Sequence, residues 1–403
     1  MDVDVPEWDL LKRFIDNPGF SDAGKLALEH VLHLLEDILG TSWVRRQYRK
    51  RGRLPAEVVL FASHRAALPQ FLTLGMRLRA AAIEPTFRPV LGGLRKEPTS
   101  SDWRHALLQL EVARAAKAAS WAYSFEPVLS GSDHRADLII SALGQEFFVE
   151  TTTLFRTQQD LNSEKYEERF LEQIRAVERC FGIYAISELF QHVDETVTAD
   201  WVEAIEAAAA EVRDARETHT VVSDVGKVKL QVNAAPPETV TFRGALRERD
   251  IGRRLCHTVR VKALQSLGSV PTWLRVDALD GVFQFTEWAR MPGTERVALL
   301  HDVLQPVISV APHLHGVICS SGLAVSIGAT DRIVEEVTVE TSNGAMLRRL
   351  LGPHLAREMV IVSLQPEADS MAHAWAAAYA NEPSWLDEDL TAVGLPPLEA
   401  FWV

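Results

Sequence analysis

The chain is short of lysine. Only nine of its 42 basic residues are lysines, so each lysine that could stand beside an acid can be weighed singly. Cysteine is scarcer: Cys180, Cys256 and Cys319 lie far apart, which fits neither a disulfide framework nor a zinc site and points to a reducing cytoplasm. No apolar run approaches the ~18 residues of a membrane-crossing helix, so no membrane association is expected. The acidic start MDVDVPEWDL lacks the charged-then-apolar pattern of a signal peptide. Positive charge in bulk is missing too. A net charge of −13 argues against a surface coated for non-specific nucleic-acid binding, while leaving one local basic groove open. The stretch SSGLAVSIG carries no P-loop lysine and no GxGxxG pattern, and no GxSxG elbow occurs. His313 and His315 in PHLHG have no third metal ligand nearby in sequence, and His30 and His33 sit at helical spacing on a polar face.

What is present suffices for a large core. The chain has 403 residues, 47% hydrophobic and 24% charged, enough for two or three domains. Residues 1–100 read as a helical N-terminal region: GKLALEHVLHLLEDILG repeats apolar residues near the 3.6-residue period and ends at Gly40. A basic run follows, with Arg45, Arg46, Arg49, Lys50, Arg51 and Arg53, either a solvated helix end or a patch that contacts phosphates. Ser101 and Asp102 can cap a helix running to about Ser120, with Glu111 among its apolar residues. WAYSFEPVL, ADLIISAL and QEFFVETTT then read as strands. Helical pattern dominates 156–250, interrupted by the strand VGKVKLQVN. From DIGRRLCHTVRVKALQSL onward, helix and strand alternate through TWLRVDAL, ERVALLHDVLQPVIS, HGVICSS and EMVIVSL. Residues 366–403 read as an acidic, Trp-containing helical tail. Helices alternating with apolar strands predict an α/β class, a mixed sheet flanked by helices.

The stretch ADLIISALGQEFFVETTTL (136–154) puts carboxylates into two otherwise apolar strands. If Gly144 and Gln145 form a two-residue turn, Asp137 faces Thr152 and Ile139 faces Glu150. Asp137, Glu150 and Thr152 then share one face, while Leu138, Ile140, Phe147 and Val149 bury the other. Two carboxylates on neighbouring strands repel unless a proton or a cation stands between them, and such oxygens suit Mg²⁺ or Mn²⁺. The alternative is that Asp137 begins a strand and Glu150 ends one, both solvated.

A helix with an inward-capable glutamate, followed by three strands with Asp on the second and Glu-x-Thr on the third, resembles the PD-(D/E)XK nuclease superfamily. The resemblance is firm over about 50 residues and looser over 101–280. It implies a restriction-endonuclease-like domain at 101–365 with a largely helical insertion near 156–250. It also implies Glu111, Asp137 and Glu150 as ligands of Mg²⁺ (or Mn²⁺), and phosphodiester hydrolysis in a bacterial cytoplasm, with DNA a more natural substrate than RNA. Thr152 stands where the family carries its lysine. Lys262, in a helix leading into TWLRVDAL, is the first candidate to replace it, with Gln265 on the same helical face and Lys117 and Lys165 behind it. The other reading is a catalytically inactive nuclease-fold module that binds nucleic acid or a partner protein.

Overall fold

A computed structural model of the chain describes residues 8–17, 19–51, 58, 68–95, 101–126, 136–154, 158–190, 195–232, 242–243, 251–266, 270–278, 291–321, 324–325, 336–352 and 355–402. It is α/β, and it divides into two compact units: Met1–Leu154 with Ile251–Val403, and Phe155–Asp250.

The first unit opens with helices α1 (Trp8–Lys12), α2 (Asp22–Leu39), α3 (Trp43–Arg51), α4 (Leu68–Ala82), α5 (Arg88–Arg95) and α6 (Ser101–Ala118). Helix α2 shows how local chemistry sets the ends. The Ser21 hydroxyl accepts from the Gly24 amide at the start, and Gly40 takes φ 100° at the finish. Strands β1 (Ala122–Phe125), β2 (Leu138–Ala142) and β3 (Gln145–Leu154) follow as an antiparallel meander. After the second unit come α9 (Ile251–Ala263), β8 (Thr272–Ala278), α10 (Gly293–Ile308) and β9 (Leu314–Ser321). Strand β8 pairs parallel with β3, and β9 parallel with β8. These are helical crossovers of the kind parallel pairing requires. Strands β10 (Ala324–Val325), β11 (Val337–Thr341), β12 (Gly344–Gly352) and β13 (Leu355–Ser363) extend the sheet antiparallel, giving the order β1-β2-β3-β8-β9-β13-β12-β11 with β10 on β13. The β11–β12 hairpin, which turns at Ser342-Asn343, went unread in the sequence.

Each face of this sheet has its own cover. Leu138, Ile140, Phe147, Val149, Trp273 and Ile361 share one core with the N-terminal helices. Leu274, Val276, Val317 and Val360 meet Leu255 and Val259 of α9 and Leu300 and Leu304 of α10 on the other face. Each such side chain contributes about 1.5–3 kcal/mol on burial. Residues 366–403 are not a tail. Helices α11 (Asp369–Ala380) and α12 (Glu382–Thr391) bury Trp375, Tyr379 and Trp385 in the first of these cores, so the acidic residues mark only the outer sides of packed helices.

The second unit is less helical than its sequence pattern suggested. Helices α7 (Gln158–Phe181) and α8 (Glu195–Ala215) pack on a four-stranded sheet of order β5-β6-β4-β7. Its strands are β4 (Tyr184–Leu189), β5 (His219–Ser223), β6 (Gly226–Gln231) and β7 (Phe242–Arg243). Strand β4 follows α7 after only Gly182 and Ile183, and was not singled out in the sequence.

Candidate active site

The β2–β3 turn lies one residue earlier than the sequence suggested. Leu143 and Gly144 both take left-handed φ, 51° and 78°, the signature of a two-residue hairpin whose twist matches its strands. Ile139 therefore pairs with Phe148 and not with Glu150, and Leu138 pairs with Val149. The register moves by two positions, so every side chain keeps its expected face. Continued by one step, the same register sets Asp137 across from Glu150 itself.

Asp137 sits where β2 begins and closes the end of the ladder with its own side chain. Its Oδ2 accepts from the Thr151 amide at 2.6 Å and from the Thr151 hydroxyl at 3.1 Å. Its Oδ1 lies 2.8 Å from Nε2 of His105 on α6, whose Nδ1 lies 3.2 Å from the Thr151 hydroxyl. The Thr151 side chain thus touches both the Asp137 carboxylate and the ring that holds it, closing a three-residue ring of contacts. Burial alone would push the Asp137 carboxyl up. The hydrogen bond and charge of His105, the charge of Lys262 and the Thr151 amide outweigh it and hold the carboxyl below its ordinary value.

Glu150 has the opposite environment. It is buried, and burial first, then the charge of Asp137, which is close enough to share a hydrogen bond, push its carboxyl up to about 8 against the pull of Lys262. The two carboxyls thus form a pair in which one is ionised and the other holds a proton, as expected where like charges are forced together. Lys262 is half-buried near the end of α9, the helix that leads into β8, and its charge acts on both acids. Thr152, two residues after Glu150, projects from the same face of β3. Asp137 and Glu150 are therefore brought together across the hairpin, Thr152 shares their face, and the Lys262 charge reaches both acids.

Glu111 is not with them. Its Oε1 accepts from Arg275 Nε at 2.9 Å and from the Tyr379 hydroxyl at 3.2 Å, and its Oε2 accepts from Arg357. Against the cost of burial, the guanidinium charges of Arg275, Arg357 and Arg77 hold its carboxyl well below the usual range. The helix explains the correction. At about 100° per residue, His105 and Glu111 stand roughly 120° apart around α6, so only one of them can face the hairpin's open end. His105 takes that place. Its six-residue offset from Glu111 is the signal that could have separated the two roles.

Other expected groups fall elsewhere. Helix α9 ends at Ala263, so Gln265 lies in the following turn and not on the Lys262 face. Lys117 is exposed at the end of α6, and the Lys165 side chain lies outside the described residues. Arg45, Arg46 and Arg49 are exposed on α3, with Trp43, Val44 and Gln47 buried behind them. Lys50 and Arg51 close that helix with side chains outside the described residues, as is the whole of Arg53. His313 is a structural residue here: its Nε2 lies 2.8 Å from both the Ala263 carbonyl and the Ser266 hydroxyl, holding the end of the Lys262 helix.

Among the described residues no group of three His, Cys, Asp or Glu side chains is placed to hold a metal. The donor set at the hairpin is two hard carboxylates. That suits Mg²⁺, which is commonly held by one or two carboxylates with its remaining positions left to water and substrate oxygens. The chain matches no family model, no curated protein and no solved structure.

Proposed function

We propose that the chain is a metal-dependent nuclease-like protein that hydrolyses phosphodiester bonds, with DNA as its substrate. The observation that carries this reading is the pairing of Asp137 with Glu150 across the β2–β3 hairpin, within reach of the Lys262 charge. The order α6, β1-β2-β3, α9 and parallel β8 supports it, because it is the order of elements that the resemblance implies. Asp137 and Glu150 would hold Mg²⁺ or Mn²⁺, with Glu150 giving up its proton to do so. The bound ion would polarise the scissile phosphate and lower the pKa of an attacking water. Lys262 supplies the positive charge that Thr152 lacks, offsetting charge that develops on the phosphate. Thr152 can orient a water by hydrogen bonding. His105 and Thr151 fix the Asp137 carboxylate.

A second reading keeps the fold and drops the chemistry: a module that binds nucleic acid or a partner protein. Glu111 locked among arginines and Thr152 in the lysine position favour it. Incubation of the purified full chain with DNA and Mg²⁺ or Mn²⁺ separates the two. Cleavage that disappears in Glu150→Ala and Asp137→Ala, with circular dichroism unchanged, supports the nuclease. Cleavage that persists in both variants rejects it, and no cleavage by the parent chain leaves the binding module.

A further inference from the structure

The sheet of the second unit has two unlike faces. Ala185, Leu189, Val228 and Leu230 point to one side, where Phe170 and Ile174 of α7 and Trp201 and Ile205 of α8 cover them. The alternate residues point to the other side. There β4 presents Tyr184, Ile186 and Glu188, and Phe190 continues the same alternation. Register sets Lys229 beside Ile186 and Lys227 beside Glu188, while Thr220 and Val222 of β5 flank the two lysines. Tyr184 is 46% exposed, Phe190 48% and Val222 67%. Large apolar groups exposed together on one sheet face and rimmed by polar residues are the pattern of a binding surface.

The chemistry of this face is specific. Two of the chain's nine lysines stand two residues apart on β6, in a molecule of net charge −13. The Lys227 ammonium lies 5.6 Å from the centre of the Phe190 ring and 2.7 Å from Glu188. Lys229 is exposed and has no acidic partner among the described residues. Tyr184 and Phe190 are about 20 Å apart along the strand at ~3.3 Å per residue, with the lysines between them in the neighbouring strand. Aromatic rings interleaved with cations on a flat sheet are what an unpaired nucleic-acid strand requires. Bases stack on the rings, phosphates meet the cations, and the stacking surface of a base is exposed only where the strand is not paired. A duplex offers phosphates alone to such a face.

We propose that this face of the second unit binds single-stranded nucleic acid through Tyr184, Phe190 and Lys229. The inference deepens the nuclease reading by naming the strand state of its substrate, and rests on that reading only for the link from binding to cleavage. Fluorescence anisotropy of the full chain in EDTA, with a labelled ~20-nucleotide oligothymidylate and a duplex of the same length, tests it without cleavage. The single strand should bind at least tenfold more tightly than the duplex. Tyr184→Ala should weaken the single strand about tenfold and leave the duplex unchanged, as loss of one stacked base predicts. Lys229→Ala should lower the slope of log affinity against log salt by about 0.7. All three residues are surface groups, so the variants should keep the parent's circular dichroism. Equal affinity for strand and duplex, or parental affinity in both variants, overturns the proposal. A chain that cleaves DNA while these variants bind like the parent overturns this proposal alone. A chain that binds through this face and never cleaves overturns the nuclease reading alone.

Discussion

The Nε2 atom of His105 lies 2.8 Å from Oδ1 of Asp137, and this contact ties helix α6 to the start of strand β2. Hydrogen bonds to ionised groups contribute about 1.5–3 kcal/mol. His105→Ala should therefore lower unfolding free energy in urea by an amount in that range at pH 6. Because His105 and Lys262 hold the Asp137 carboxyl below its ordinary 3.8, this carboxylate stabilises the fold above that pH, and its contribution is lost as pH falls through the depressed folded value. Acid unfolding of His105→Ala should begin at higher pH than that of the parent; identical acid midpoints would count against the contact.

Glu150 titrates in the other direction. Its ordinary value is 4.5 and its folded value about 8, so between these the folded chain holds a proton that the unfolded chain has lost. Its contribution to stability is fully present below about pH 4.5 and falls as pH rises through 8. In EDTA the parent's melting temperature should drop between pH 6 and 9 more than that of Glu150→Gln, whose amide has no proton to lose. Parallel curves for the two proteins would show that Glu150 is not the group responsible.

Lys262 acts on the pair from α9, whereas Thr152 stands on β3 on the same face as Glu150. Lys262→Ala should reduce DNA cleavage on the order of 10²–10³-fold, the range for removing one group that meets transition-state charge. Thr152→Lys in the Lys262→Ala background should restore part of that loss, because the new ammonium arrives from the strand two residues beyond Glu150. Single-turnover rates of the three proteins check this; a Lys262→Ala variant that cleaves at the parental rate removes lysine from the site.

Glu111 gives the contrasting case. Glu111→Ala leaves Arg275, fully buried, and Arg357, 8% exposed, without their shared carboxylate. Breaking a buried ion pair from one side costs about 3–5 kcal/mol. Denaturant titration should show that loss, while the fraction still folded should bind Mn²⁺ with parental affinity. A weakened metal affinity at full stability would return Glu111 to the site.

Much of this site could be read in the sequence because it depends on period-two alternation alone. Asp137, Glu150 and Thr152 share a face under either turn, since moving the turn from Gly144–Gln145 to Leu143–Gly144 shifts the register by two and changes no side chain's orientation. Lys262 could be singled out because lysines are few and its helix leads into the strand TWLRVDAL. Glu111 was misplaced because α6 is buried nearly all round. Apolar period says which helical positions are inside, and cannot say which wall each one meets. Arg275, Arg357 and Tyr379, which take up Glu111, lie more than 150 residues away in sequence, where no local pattern connects them. The helices after 366 were expected, but as a tail, for a related reason: acidic composition hid the buried Trp375, Tyr379 and Trp385.

The most direct measurement is calorimetric titration of the metal-free chain with Mn²⁺ at pH 7, repeated in two buffers of different ionisation heat. If Asp137 and Glu150 jointly take a divalent cation, one ion should bind per chain and close to one proton should leave Glu150, while Glu150→Gln should release none and bind at least tenfold more weakly. Absence of binding by the parent, or binding that Glu150→Gln leaves unchanged in both affinity and proton release, would contradict the account.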